Sequence, residues 1–183
     1  MLAALAYASA ALNRTSTAAF TAVSALLFSS VTFKSASALA LAASAAPARV
    51  FRALSDAGDK RRWYAEGERG EVEEFTMDFR VGGSEVLSFR AGAGTPIAGM
   101  LLVNRGTYLD IVENERVVMA STMGIGEMRF SASMSTFELV ATRGGTRLVF
   151  TEQDAFFPNS DGPQLRKQGW LKLLGQLEWE LEE

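Results

Sequence analysis

The C-terminal segment, residues 162–183, constrains the fold more than any other part of the chain. It reads GPQLRKQGWLKLLGQLEWELEE, and its large apolar residues recur at the spacing of one helix face. This stripe consists of Trp170, Leu173, Leu174, Leu177 and Leu181. A stripe that wide must be buried, and the upstream segment that offers an apolar surface has the pattern of a β-sheet. The sequence therefore predicts an α+β domain in which a long helix packs on one face of an antiparallel sheet.

The predicted sheet begins near residue 73, where the apolar period changes to two. Phe75, Met77, Phe79 and Val81 alternate with polar residues, as in a half-buried strand. Further strands are predicted near 84–90, 98–103, 106–112, 116–123, 130–142 and 146–154, separated by turns rich in glycine. Because consecutive strands joined by short turns pair antiparallel, these segments predict a meander.

Three weaker elements precede the meander. SALALAAS is a poor strand around Leu39 and Leu41, and Pro47 opens a short helix with the sequence PARVFRALSD. A second short helix is predicted over DKRRWYAEG, residues 59–67. Its Lys60-Arg61-Arg62 run is typical of a solvated helix face, with contact to an anionic head group as the alternative.

Composition excludes several functional classes. The net charge is −3 with balanced signs, so no nucleic-acid partner is expected. The chain has no cysteine and no histidine, which removes disulfides, thiolate nucleophiles, serine–histidine pairs and metal sites built from these residues. We expect no metal and no cofactor, and a binding protein rather than an enzyme; Asp, Glu, Tyr and Lys remain as acid–base groups.

Residues 1–36 differ in composition from the rest. They are rich in Ala, Ser and Thr, and the first acidic residue of the chain is Asp56. A transit peptide, a segment that does not fold and a mis-assigned start all fit this composition. We therefore expect the domain to span 37–183, without stable membrane insertion and in the cytoplasm, with an organelle as the alternative if residues 1–36 are a transit peptide.

Several local motifs, taken in order, resemble one protein family. PARVFRALSD and Trp63 are followed by DFRVGG (78–83), RGTYLDIVENERVV (105–118), GGTRLVF (144–150) and QGWLKLLGQLE (168–178). This set resembles the SRPBCC or START-like superfamily, which has the helix-grip fold, and within it the branch named for the heat-shock-protein-90 ATPase activator homologue. The resemblance implies a hydrophobic cavity between the sheet and the long helix, which members use to bind lipids, hormones or polyketides, and some members use for cyclisation or hydrolysis.

Candidate ligand contacts follow from this resemblance and from the strand pattern. They are Trp63, Tyr64, Phe75, Met77, Phe79, Phe89, Tyr108, Met119, Phe137, Phe150, Trp170 and Leu174. Each of these residues also fits an ordinary core position. Glu152 shares strand parity with Leu148 and Phe150, so it is expected at the edge of the cavity, where burial would raise its pKa and suit it to proton transfer.

Three functions compete at this point. The first is binding of a small hydrophobic molecule by a monomer or homodimer. The second is a cyclase or hydrolase that uses Glu152 and a tyrosine as acid–base groups. The third is a chaperone-associated role, which the name of the branch suggests.

Overall fold

The computed structural model describes residues 37–66, 70–95 and 97–182, and in this part of the chain seven strands form one sheet. The strands are β1 (Ser37–Ala43), β2 (Gly70–Met77), β3 (Ser84–Ala91), β4 (Leu101–Val112), β5 (Arg116–Ile125), β6 (Met128–Thr142) and β7 (Gly145–Phe156). Their order is β1-β7-β6-β5-β4-β3-β2, and every neighbouring pair is antiparallel. The predicted meander is confirmed, with β1 added at the edge beside β7.

The helices are α1 (Pro47–Ser55), α2 (Ala57–Lys60), which continues into a π-helix over Arg61–Ala65, and α3 (Gly162–Glu182). Pro47 lies in the first turn of α1, where its missing N–H costs no hydrogen bond. The Asp56 side chain caps α2 by accepting from the backbone N–H of Asp59 at 2.9 Å. None of the helices among the described residues is both long and apolar enough to cross a membrane.

The core lies between the sheet and α3. All five residues of the predicted α3 stripe are buried, as are Leu87, Tyr108, Leu148 and Phe150 on the strands. The α+β helix-grip architecture expected from the sequence is therefore present, because the amphipathic helix covers the apolar face of the sheet.

Two departures from the predicted strands have local causes. The segments expected as separate strands before and after residue 104 form the single strand β4, which pairs continuously with β3 from Leu101 to Thr107. Tyr108 continues the inward alternation of Leu102 and Gly106, and a β-bulge between Tyr108 and Asp110 then shifts it, so Leu109 is 48% exposed and Ile111 packs against the core. Tyr108 and Ile111 therefore both face inward, although strict alternation along the sequence would place them on opposite faces.

Gly145 shows why the second glycine of the GGTRLVF motif is needed. Its φ is +138°, and a Cβ at this position would lie 2.1 Å from the carbonyl oxygen of Ala43. The close approach lets β7 start directly beside the end of β1, so that Thr146 pairs with Ala43.

Leu177→Ala is expected to lower the free energy of unfolding by about 2–5 kcal/mol, because Leu177 is fully buried and its removal leaves a cavity. Leu171→Ala is the matched control on the same helix; this leucine is 51% exposed, so a change within about 0.5 kcal/mol is expected. Urea unfolding of both variants measures the difference. Equal effects would contradict the assignment of the buried face of α3.

Candidate functional site

A cavity of about 290 Å³ lies between the sheet and α3. One wall comes from the inner faces of β3 to β7, and the other from α3, with Tyr64 of the π-helix and two residues of the β3–β4 loop completing it. The lining residues are Tyr64, Leu87, Phe89, Ala91, Thr95, Ile97, Leu102, Asn104, Met119, Ser121, Met123, Ser133, Ser135, Glu152, Asp161, Leu165, Arg166, Gly169, Trp170, Lys172 and Leu173. The volume lies at the lower end of the range for small-molecule sites.

Trp170 anchors the apolar part of this lining. Its ring stacks on that of Tyr64, with the ring centroids 6.3 Å apart. The centroids of the Phe150 and Phe137 rings lie 4.1 Å and 6.0 Å from that of Trp170. Aromatic side chains packed on three sides have little freedom to change rotamer. The tryptophan is therefore a preformed wall of the cavity and also part of the core.

Small polar side chains form a second part of the lining. Ser121, Ser133 and Ser135 face the cavity from β5 and β6, and Asn104 faces it from β4. The Asn104 amide donates a hydrogen bond to the Tyr64 hydroxyl at 3.0 Å. A ligand in the cavity would meet hydrogen-bonding groups as well as hydrocarbon.

Arg166 organises a buried polar cluster beside the serines. Its guanidinium donates to both carboxylate oxygens of Asp161 at 2.9 and 3.0 Å and to Asp154 at 2.8 Å. It also donates to Ser131 at 2.8 Å and to Ser133 at 3.1 Å. Each of its three nitrogen atoms is engaged, so the guanidinium is held at a fixed position by two carboxylates.

Glu152 lies next to this cluster and faces the cavity. It is only 4% exposed, and the Nη1 atom of Arg166 lies 4.0 Å from its Oε1 atom. Burial raises the pKa of the Glu152 carboxyl to about 7, and the neighbouring negative charge of Asp154 adds to this rise. The charge of Arg166 and a hydrogen bond from Trp170 act in the opposite direction.

This arrangement gives Glu152 two states near neutral pH. The neutral carboxyl can donate and accept hydrogen bonds, whereas the carboxylate can accept a proton or pair with a cation. A carboxyl whose pKa is close to the working pH is suited to binding a polar group or to general acid–base chemistry. Among the described residues no group of three or more acidic side chains has the arrangement of a metal site.

The structure places the predicted contact residues in two sets. Tyr64, Phe89, Met119 and Trp170 line the cavity together with Glu152. The others are absent from the lining and lie around it: Trp63, Phe75, Met77, Phe79, Tyr108, Phe137, Phe150 and Leu174. The roles of both sets in ligand binding stay predictions.

Members of the second set have identifiable packing roles. Trp63 donates its indole N–H to the carbonyl of Ala53 at 2.8 Å, which ties the π-helix to α1. Phe137 and Phe150 support Trp170 from the sheet side. Phe75 contacts the ring of Tyr64 at 6.4 Å.

Tyr108 belongs to a separate buried polar group. Its hydroxyl donates to Glu85, and the Lys60 ammonium lies 2.5 Å from the same carboxylate. Lys60 is only 4% exposed, so the solvated position expected for it is wrong. Its ion pair joins α2 to β3, and its Nζ atom lies 5.2 Å from the centroid of the Tyr64 ring.

Sequence reasoning missed the Arg166 cluster, although signals for it were present. Ser131, Ser133 and Ser135 share strand parity with Phe137, and a row of small polar residues at inward positions is unusual for an apolar core. Arg166 lies four residues before Trp170, which places both on one helix face. The contacts to Asp154 and Asp161 needed the folded chain.

The structure also decides between two explanations for Gly169. A mid-helix glycine costs about 1 kcal/mol relative to alanine, and either close helix–sheet approach or room for a ligand would account for it. A Cβ at Gly169 would meet no atom within 4 Å, so close approach is not the reason. Gly169 lines the cavity and leaves space there.

The raised pKa of Glu152 predicts a pH dependence of stability that Glu152→Gln removes. An unfolded glutamate loses its proton near pH 4.5, whereas the folded protein keeps it to about pH 7. The contribution of this group to folding stability is therefore greatest below pH 4.5 and falls as pH rises through 7, by as much as about 3 kcal/mol.

Urea unfolding at about pH 5 and about pH 8 measures this effect. Relative to Glu152→Gln, the wild type should lose stability at the higher pH. Glu138→Gln, an exposed position on β6, should follow the wild type. Parallel profiles for wild type and Glu152→Gln would contradict the pKa assignment.

Comparisons with solved structures find the same architecture in bacterial proteins. An uncharacterised protein from Rhizobium leguminosarum is 36% identical with a TM-score of 0.74, over 81% of this chain and 94% of that one. A protein from Rhizobium loti is 38% identical with a TM-score of 0.70, over 80% of this chain and 96% of that one. An AHSA1-like protein from Aeromonas hydrophila shares the fold at 19% identity and a TM-score of 0.61, over 81% of this chain and 92% of that one.

A comparison with curated proteins gives no match. The family model described as "Activator of Hsp90 ATPase homolog 1-like protein" matches residues 44–182, which contain the three helices, β2 to β7 and every residue of the cavity lining. The chain belongs to the family of Activator of Hsp90 ATPase homolog 1-like proteins, within the SRPBCC-type helix-grip fold.

Proposed function

We propose that the protein binds a small, mainly apolar molecule in the cavity between the sheet and α3. The observation that carries the proposal is the cavity itself. It lies between the sheet and α3, with a rigid aromatic wall around Trp170 and hydrogen-bonding groups on the facing strands. The helix-grip fold of the family is consistent with a ligand-binding domain in general.

Two features make the cavity more than a packing defect. Empty space in a core is destabilising, because the atoms around it lose contacts. Here Gly169 enlarges the space at a position where a side chain would meet no atom, and serines line a face that leucine or valine would fill. The sequence therefore maintains the space at a cost to stability, which is typical of a binding site.

Gly169→Leu tests the cavity, because a leucine there would extend from α3 into the space that Gly169 leaves open. The matched control is Gly175→Leu on the same helix. A Cβ at Gly175 would also meet no atom within 4 Å, but Gly175 does not line the cavity. Both changes should stabilise α3 by up to about 1 kcal/mol, because leucine has a higher helix propensity than glycine. Only Gly169→Leu should reduce ligand binding, by about tenfold or more.

Native mass spectrometry of the purified chain, compared with its denatured mass, detects any molecule that the protein retains. Titration with octanol, followed by tryptophan fluorescence, measures the affinity of the cavity for a neutral apolar probe. Loss of retained mass and of octanol affinity in Gly169→Leu alone would support the proposal. Octanol binding that is equal in both variants would contradict it.

A second candidate is an acid–base enzyme that uses Glu152. The specific observation in its favour is that a buried carboxyl with a pKa of about 7 faces a cavity able to hold a substrate. Such an enzyme would convert the retained molecule, and Glu152→Gln would lose conversion while keeping affinity and fold. Incubation of the protein with its retained molecule, followed by mass analysis of the released compound, distinguishes conversion from simple binding.

A further inference from the structure

The face of α3 that points away from the sheet carries two large apolar side chains in solvent. Trp179 is 62% exposed and Leu171 is 51% exposed, and both lie on one side of the helix. Tryptophan is largely buried in most folded chains, and it is enriched at the centre of protein–protein interfaces. The outer face of α3 therefore has the composition of a contact surface.

Gly175 stands midway between these two side chains. A Cβ there would meet no atom within 4 Å, so packing within the chain does not require a glycine at this position. A mid-helix glycine nevertheless costs about 1 kcal/mol relative to alanine. Because it has no side chain, Gly175 leaves a depression between Leu171 and Trp179 in which a second backbone can approach closely.

This pattern is complementary to a second copy of the same helix in the antiparallel direction. If the two copies are related by a two-fold axis at Gly175, Trp179 of each lies at the level of Leu171 of the other, since both are about 6 Å from the axis. Each indole would cover the leucine of the other copy beside the two glycines. A two-fold contact requires such a self-complementary surface.

The charges of the outer face have the same symmetry. Lys167 and Lys172 precede Gly175, whereas Glu178 and Glu182 follow it, and all four are at least partly exposed. Antiparallel pairing places the basic half of each helix against the acidic half of the other, while parallel pairing would bring like charges together.

We propose that the outer face of α3, centred on Gly175, is the interface of a homodimer in which the two helices pack antiparallel. The buried stripe with Trp170 lies on the opposite side of α3, so the dimer is independent of the cavity and of its ligand. A contact formed mainly by one helix pair is at the lower end of interface sizes, and a reversible dimer with a micromolar Kd is expected.

Sedimentation equilibrium of the full chain at low ionic strength, from about 1 µM to about 500 µM, measures this Kd. Trp179→Ala should raise the Kd by about a hundredfold or more, because the dimer contains this residue twice. The matched control is Phe157→Ala, which removes a 41% exposed aromatic ring outside α3 and should change the Kd by less than about twofold. Leu171→Ala should also weaken the dimer, while the stability of the dilute monomer stays unchanged.

A charge reversal tests the antiparallel direction. Because Lys172 already has a partner within its own chain, Lys167 and Glu182 are the better pair for this purpose. Lys167→Glu or Glu182→Lys alone should raise the Kd about tenfold, since each places like charges opposite each other twice in the dimer. The two changes together should restore a Kd close to that of the wild type. Within one helix these residues are about 22 Å apart, so the restoration can arise only between two copies.

Each outcome decides the inference. A monomer at every concentration would overturn it and leave the outer face of α3 for a different protein. A dimer that survives Trp179→Ala, or a double reversal that fails to restore the Kd, would overturn it as well. A dimer that is lost in Trp179→Ala and recovered in the double reversal would establish it. None of these variants changes a residue of the cavity lining, so ligand binding is tested separately.

Discussion

Burial of the Trp170 face of α3 against the sheet is the interaction on which the rest of the structure depends. The helix contributes Trp170, Leu173, Leu174, Leu177 and Leu181 to the core, and without it the sheet would expose its apolar face to water. Trp170 also lines the cavity, so one set of contacts both closes the core and forms the wall of the site. Packing and function are therefore coupled at this residue.

The helix does not seal the sheet along its whole length, and the reason is chemical. Toward its N-terminal end, the buried positions change from leucine and tryptophan to Gly169 and Arg166, and the facing strand presents serines. Small and polar side chains cannot fill the interlayer space as leucines do. The cavity thus results from the sequence of the first turns of α3 and of β6, rather than from the fold class alone.

Electrostatics then gives this cavity its chemical character. A buried Arg166 would be costly alone, and Asp154 and Asp161 compensate it with short hydrogen bonds. Glu152 lies 4.0 Å from Arg166, beyond hydrogen-bond distance, and burial raises the pKa of its carboxyl to about 7. The Lys60–Glu85 pair is the contrasting case, because both partners are buried in direct contact and join α2 to β3.

The amino-acid sequence by itself determined the layers of this protein. The 3.6-residue stripe of α3 and the two-residue alternation of the strands are local patterns that the sequence shows directly. Both patterns correspond to elements of the structure. Glu152 was also identified by parity with Phe150, because no bulge interrupts β7 between them. The face of Tyr108 could not be inferred from Leu109 and Ile111, because a bulge between Tyr108 and Asp110 interrupts the alternation of β4.

Only the tertiary structure decided which apolar residues border empty space and which are packed on all sides. Phe89 and Phe150 have the same strand pattern, yet Phe89 lines the cavity and Phe150 lies behind Trp170. Likewise, Ser131, Asp154 and Arg166 are distant in sequence and meet through the pairing of β6 with β7 and the docking of α3. Periodicity reports the face of an element, whereas cavities and ion clusters depend on what stands opposite that face, which is set by non-local packing.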